Sequence, residues 1–518
     1  MNRAVFVAAG ILISRISGFV RLRVFTYCFG LSDPADAFNA AFRIPNFLQN
    51  MFGEGALSAS FIPVYAALVS KGERREADRV AGAIAAFVAT VTSIAVLISV
   101  LATPALVALI APGFTGAKRE LAISLTRVLF PGAGLLVMSA WCLGVLNSHH
   151  KFMLSYAAPV MWNACMIGTL LIFGRGTELP TLAYYLAWGS VVGSAAQFLA
   201  QLPIVLHVAP DLRIVWDTAS EHVRVVVRNF APVFISRGVV QLSATIDSLL
   251  ASLLPTGAVA GISSASLLYT LPVSLFGVSV AASELPAMSG AAALDESGST
   301  AVRLRLDVAV RRIAFFVVPS AVAFLALGDV IAAAVLQTGR FTRADASYVW
   351  AILAGSSIGL VAMTLGRLYS STFYALRDTR TPLRCAVARV AITTALGYAC
   401  AIPLPHLLGV DARWGAAGLT ASAGAAGWVE MFLLRAALRR RIGSVSMPLA
   451  YQLTLWGAAL TSAAVGWAVK LMLPDVHPVV AGAAVLVPYG LCYFGLTLTF
   501  GVPEAQATVR RVLRRGRE

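Results

Sequence analysis

Charge is what this sequence has least of. Asp, Glu, Lys and Arg make up 12% of its 518 residues, about half the share of an average soluble protein, while 58% are hydrophobic. No polar stretch is long enough for a soluble domain. Acidic residues are the scarcer sign, 24 against 40 Lys and Arg, and histidine occurs only six times. The six cysteines (Cys28, Cys142, Cys165, Cys385, Cys400 and Cys492) fall mostly within apolar runs and lack metal-ligand spacing. They read as small packing residues, not as a disulfide framework. There is no glycine-rich loop ending in Lys-Ser/Thr, no His/Cys metal cluster and no nucleophile–base set. ATP hydrolysis, covalent catalysis and a bound cofactor are therefore not expected. Nor does the N-terminus look removable: its apolar stretch is interrupted by Arg15 and runs into Arg21 and Arg23 without a cleavage region.

What remains is a series of apolar runs of roughly 20 residues, the mark of a polytopic helical membrane protein. Fourteen spans are expected, at 5–29, 36–68, 80–107, 121–146, 152–174, 180–207, 226–253, 258–289, 308–335, 345–375, 384–404, 413–437, 448–472 and 477–500. The net charge of +16 would suit nucleic acid, but its placement argues otherwise. With the N-terminus inside, cytoplasmic segments hold about 25 of the 40 Lys and Arg, and outer loops about 7. The positive-inside rule then puts both termini in the cytoplasm and explains most of the basicity as topology.

Three landmarks recur in order at nearly constant offset. Ile13-Ser14-Arg15 returns as Ile235-Ser236-Arg237, 222 residues later; FGEGALSASFIP (52–63) resembles FGVSVAASELP (276–286); APGFT (111–115) precedes TGRFT (338–342) by 227. A repeat unit of six spans, an even number, gives both copies one orientation. The expected fold is all-α, with two six-helix lobes related by a pseudo-two-fold axis along the membrane normal and a central cavity between them. The lobes would be 1–212 and 213–442, followed by a two-helix segment, 443–502, and a basic tail, 503–518.

Arginine at mid-bilayer costs at least about 2.5–3.5 kcal/mol, so it should face water or a partner. Arg23, Arg127, Arg367 and Arg389 lie near enough to span ends to snorkel. Arg15 does not: it is about ten residues into span 1, beside Ser14, Ser17 and Gly18, with Arg21 six residues on. Arg237 and Ser236 hold the matching depth in the second copy. Planar, permanently charged guanidinium groups suit phosphate. The competing reading pairs each arginine with a carboxylate such as Glu54, Asp247 or Glu284. Asp36, after the helix-start signal Ser32-Asp33-Pro34, either caps a helix or gates with an arginine; Glu54, between two glycines, suits gating or orienting an arginine, and Arg43 is a further charge partner.

These residues sit in segments that resemble the MurJ (MviN) lipid II flippases of the MOP transporter superfamily: SRISGFVR (14–21), DAF (36–38), PNFLQNMFGEGALSASFIPV (45–64), LPAMS (285–289), GRFT (339–342) and FYALRDTRTP (373–382). The resemblance implies movement of an undecaprenyl-diphosphate-linked peptidoglycan precursor from the inner to the outer leaflet of the bacterial cytoplasmic membrane. It makes Arg15 and Arg21 the essential first-span arginines, and gives Asp36 and Glu54 the places of the family's aspartate and glutamate. Implied partners are the lipid-linked diphosphate sugar and membrane lipids, with the cell-wall synthesis machinery as a further candidate and nucleic acid as none. Three departures stand out: Leu22 where an aspartate is usual, Gln49 where a basic residue is common, and Leu267 where an eighth-span arginine is expected. Arg237 is the expected substitute for the last. Sodium coupling lacks support, because span 11 offers Arg389, a partner for Asp247, and no carboxylate. Membrane potential is the expected driving force. Alternatives are a flippase for another polyprenyl-linked glycan, a cation-coupled drug exporter, or a non-transporting scaffold.

Overall fold

The computed structural model describes residues 3–515 apart from 54–56, 58–59, 150, 152–156, 218–219, 293–297, 446 and 475; of 3–9, 11, 231–233, 235–245, 292, 298 and 511–515 it describes the backbone alone. Among the described residues the ordered backbone is helical save one isolated bridge between Thr338 and Phe341. The chain packs into two compact units, Met1–Ala260 with Thr338–Phe341, and Gly261–Gln337 with Thr342–Glu518.

The first unit contains α1 (Arg3–Phe29), α2 (Asp33–Phe52), α3 (Ile62–Lys71), α4 (Arg74–Leu101), α5 (Thr103–Ile110), α6 (Gly116–Ser148), α7 (Pro159–Phe173), α8 (Leu179–Val208) and α9 (Glu221–Ser252). The start of α2 follows the sequence signal: Ser32 is the cap, its hydroxyl accepts from Ala35 N–H at 3.4 Å, and Pro34 sits in the first turn. Ala77, Ala81 and Ala85 recur every fourth residue on one buried stripe of α4. Small residues let α6 approach closely, which is how helices associate where lipid supplies no hydrophobic drive. Trp141 of α6 fills the joint and donates to the Ala81 carbonyl at 3.1 Å.

The second unit takes up the chain within α10 (Ala258–Pro272) and continues through α11 (Ser279–Ala292), α12 (Gly298–Leu336), α13 (Arg343–Ile358), α14 (Leu360–Ala375), α15 (Arg380–Ala401), α16 (Pro403–Leu407), α17 (Gly415–Ile442), α18 (Leu449–Met472), α19 (Pro478–Thr499) and α20 (Pro503–Arg515). The 39-residue α12 is its centre. Pro319 lacks the N–H that would bond the Phe315 carbonyl. Tyr493 of α19 donates to that carbonyl at 2.7 Å instead, so no backbone acceptor is stranded in an apolar interior. Losing that donor would leave a buried carbonyl unpaired.

Nine stretches of described helix, one of them running from α10 through a π-helical turn into α11, are each long and apolar enough to cross a membrane, and α13 with α14, bent by 44°, would make a tenth. The other four expected spans are interrupted, short or charged: α1 carries Arg15, Arg21 and Arg23, the second span breaks at Gly53, α7 is 15 residues long, and α9 carries Arg228, Arg237 and Asp247. Each of the fourteen expected stretches contains described helix, with 54–56, 58–59 and 152–156 outside the described residues.

Two features match the sequence repeat. The Phe-Gly landmark disrupts helix in both copies, by the break at Gly53 and by a π-helical turn, Val273–Val278, around Phe276-Gly277. The second is a reciprocal contact. Gly30 (φ +57°) lies against the Arg340 carbonyl, and the Arg340 N–H donates to the Tyr27 carbonyl at 3.0 Å. In turn Gly113 lies against the Ser252 carbonyl, and its N–H donates to the Ser252 hydroxyl at 3.3 Å. Gly30 and Ser252 are 222 apart, and Gly113 and Arg340 are 227 apart, the same offsets as the landmarks. Packing groups α9 with the first unit; internal similarity, which divides the sequence at 212, is a separate property.

The FYALRDTRTP segment forms the turn between α14 and α15. Arg377 takes a left-handed conformation (φ 58°), unfavourable for a side chain by about 1–2 kcal/mol. Asp378 offsets this by accepting from the N–H groups of Arg380 and Thr381, both at 3.0 Å, and from the Thr381 hydroxyl at 2.7 Å, with Arg441 2.7 Å away. Bonding from the Thr381 N–H and hydroxyl, more than the charge of Arg441, holds its carboxyl below the usual carboxylate range against the opposing effect of burial. A carboxyl depressed on folding stabilises above its unfolded value and loses that contribution as pH falls through the depressed one. Amide protection at Arg380 and Thr381 should therefore fall as pH drops below about 4, near the unfolded carboxyl value. In Asp378→Asn it should be low and flat with pH. Hydrogen exchange read as protection factors checks this.

Candidate functional site

On α1, Arg15 is exposed and Ser14 half-buried. Ser17 donates to the Ser14 carbonyl at 2.8 Å and accepts from Asn163 of α7 at 2.8 Å, which ties the two helices at this depth. One and a half turns on, the Arg21 guanidinium lies 4.4 Å from the centre of the Trp162 ring, with Nη1 3.5 Å from Met166 Sδ. Trp162 in turn stacks on Phe42 of α2 at 5.6 Å and donates to Ser190 at 3.1 Å. Arg21 is thus seated on a π face and a thioether. Among the described residues neither Arg15 nor Arg21 has a carboxylate within ion-pair distance. A cation–π seat fixes the guanidinium plane without cancelling its charge.

Arg43 of α2 differs: it interacts electrostatically with Asp247 of α9, so those two charges compensate each other. Glu54 and the side chains of Ser236 and Arg237 lie outside the described residues, though the backbone at 236 and 237 is helical.

Asp36 is 1% exposed and fully occupied. Its carboxylate accepts from the N–H groups of Gly257 and Ala260, both at 2.8 Å, at the start of α10, and meets Lys118 at 2.8 Å. Lys118 also holds Asp33 at 2.8 Å and lies 4.6 Å from the Phe114 ring centre, while Thr256 donates to Asp33 at 2.8 Å. Asp36 caps a helix, but that of α10 and not its own, and its cation is a lysine where the alternative reading supposed an arginine. Lys118 has no distinguishing signal in the sequence, being one basic residue in a short connection between apolar runs. Trp162 and Met166 are equally silent there.

With this geometry in place, comparison with known proteins is decisive. The family model described as Lipid II flippase MurJ matches residues 25–486. A Burkholderia cenocepacia protein named Lipid II flippase MurJ is 30% identical over 97% of this chain and 98% of its own. The chain belongs to the lipid II flippase MurJ family. A Haemophilus influenzae member, named a probable lipid II flippase MurJ, is 29% identical over 76% of this chain and 80% of its own. A solved structure of lipid II flippase MurJ in an inward closed conformation superposes with a TM-score of 0.78 at 22% identity, covering 96% of this chain and 98% of that one. A multidrug-resistance MATE transporter of the MOP superfamily gives 0.66 at 19% identity over 82% and 96%. These likenesses establish the fold, an all-α multi-pass membrane protein.

Two sequence expectations change. Arg389 does not partner Asp247: its Nε lies 3.0 Å from Glu430 of α17, a carboxylate that a search confined to span 11 passes over. Glu284 faces Arg305, 3.6 Å away, and not a central arginine. His149 is half-buried and lies 2.9 Å from the Tyr65 hydroxyl. Among the described residues no group of three or more His, Cys, Asp or Glu is placed to hold a metal ion.

Proposed function

We propose that this chain moves lipid II, an undecaprenyl-diphosphate-linked peptidoglycan precursor, from the inner to the outer leaflet of the cytoplasmic membrane by alternating access, with both termini cytoplasmic. The observation that carries the reading is Arg21, fixed on Trp162 and Met166 with no described carboxylate within ion-pair distance. A cation-coupled exporter needs carboxylates that bind and release cations; here the visible carboxylates Asp36, Asp247 and Glu430 are each engaged by a cation already. Arg15 and Arg21 would take the diphosphate, Ser14 would add a hydroxyl, and Arg237 would supply the same charge from the second copy. The polyprenyl tail would stay in lipid along the two-helix segment 443–502.

The direction follows from charge. Each negative charge moved outward against an inside-negative potential gains roughly 2.3 kcal/mol per 100 mV. The unloaded arginines are drawn back by the same field, so no ATP and no cofactor are needed. The test is complementation. Wild type should rescue cells depleted of their own lipid II flippase, rescue should fail when the potential is collapsed at constant pH gradient, and replacing sodium with choline should change nothing. A well-inserted wild type that does not rescue would redirect the search to another polyprenyl-linked glycan.

A further inference from the structure

The second unit contains a charge cluster that the site just described does not use. Arg389 of α15 engages Glu430 of α17 through Nε at 3.0 Å, and its Nη1 meets only the Met363 sulfur, at 3.9 Å. Arg367 of α14 acts on the same Glu430 electrostatically, and Tyr269 of α10 lies in the field of both guanidinium groups. Two arginines therefore share one carboxylate, and the cluster keeps a net positive charge.

Depth matters here. Arg367 is eight residues from the end of α14 at Ala375, about 12 Å along the helix axis. Its side chain is exposed on the second unit. An exposed guanidinium that far into a span cannot face hydrocarbon cheaply, so it borders water or a polar ligand. Snorkelling, expected from the sequence for both arginines, does not describe Arg389, which turns to Glu430 and the Met363 sulfur. An ion pair built for cohesion alone would be matched one to one. A second arginine adds repulsion unless an anion relieves it. The approach of Glu430 to Nε leaves the terminal nitrogens of Arg389 as donors, the fork that a phosphate oxygen pair accepts.

We propose that Arg367 and Arg389, oriented by Glu430, form a second phosphate subsite on this unit, which takes the diphosphate of the polyprenyl-linked substrate. It rests on the function proposed above. Arg367 and Arg389 touch the ligand; Glu430 is a positioning residue that also lowers the net charge, so that the ligand can leave.

The experiment measures binding of undecaprenyl diphosphate, undecaprenol and inorganic pyrophosphate to the purified full chain in phosphatidylethanolamine nanodiscs. Wild type should bind the diphosphate lipid, with pyrophosphate competing and undecaprenol binding far more weakly. Arg367→Gln should weaken the diphosphate lipid by roughly tenfold, the worth of one charge-assisted contact, and leave undecaprenol unchanged. Arg367 is exposed and joins no ion pair among the described residues, so this variant should fold as wild type. Glu430→Gln should bind as tightly as wild type or more so. The exchange variant, Arg389→Glu with Glu430→Arg, restores an ion pair but moves the fork, and should stay weakened. Wild-type binding in Arg367→Gln, or full recovery in the exchange variant, overturns the subsite and leaves the function standing. Failure of the wild type to bind the diphosphate lipid overturns the function, and the subsite with it.

Discussion

Arg21→Ala should abolish rescue of flippase-depleted cells while the protein accumulates at wild-type level. Because no described carboxylate pairs with Arg21, its removal leaves no orphaned negative charge, and taking a guanidinium out of a span relieves a cost of about 2.5–3.5 kcal/mol where it is not solvated. Stability should therefore be unchanged or raised. Binding should suffer: two charge-assisted bonds from one fork are each worth about 1.5–3 kcal/mol, so a loss near 3 kcal/mol weakens diphosphate binding by about two orders of magnitude. Arg21→Lys separates charge from shape. It keeps the charge, loses the fork and the flat fit on Trp162, and should rescue poorly. Trp162→Leu removes the platform and leaves the arginine, with an intermediate loss. Full rescue by Arg21→Ala would end the case for an anion site on α1.

The largest stability effect should come from Asp36→Ala. That carboxylate accepts from two backbone N–H groups at the start of α10 and meets Lys118 at 2.8 Å, at 1% exposure. Removing one member of a buried pair costs about 3–5 kcal/mol, because the other is left uncompensated. Lys118→Met should be milder, since Asp36 keeps its two amide donors while Asp33 keeps Thr256. The double variant should lose less than the sum of the two, by about 0.5–3 kcal/mol of coupling. Melting temperatures of the four proteins in one detergent give the cycle. Labelling of a cysteine placed at Thr256 reports whether the start of α10 has come loose. Additive losses would mean that Lys118 and Asp36 are neighbours without being partners.

How much of this could be read before any fold was known differs from residue to residue. The apolar helical segments were legible because burial in lipid demands continuous apolar helix, and α2 begins after Ser32 as its cap signal indicates. The repeat was legible through offsets alone, and the equivalent contacts Gly30 with Arg340 and Ser252 with Gly113 join positions related by those same offsets. Arg15 and Arg21 stood out because arginine is costly in a span.

The partners of the charges were not legible. Asp36 needed to be seen against Lys118 and the start of α10, 82 and more than 220 residues away, and Arg389 against Glu430, 41 residues on. The sequence by itself determined which segments must be helical, which must be apolar, and where charge is too expensive to be accidental, since those costs belong to each residue and its near neighbours. Only the tertiary structure decided which carboxylate answers which cation, and that Arg21 is answered by an indole and a thioether. Coulomb and cation–π attraction act over a few ångströms of space, and at that range separation along the chain carries no information.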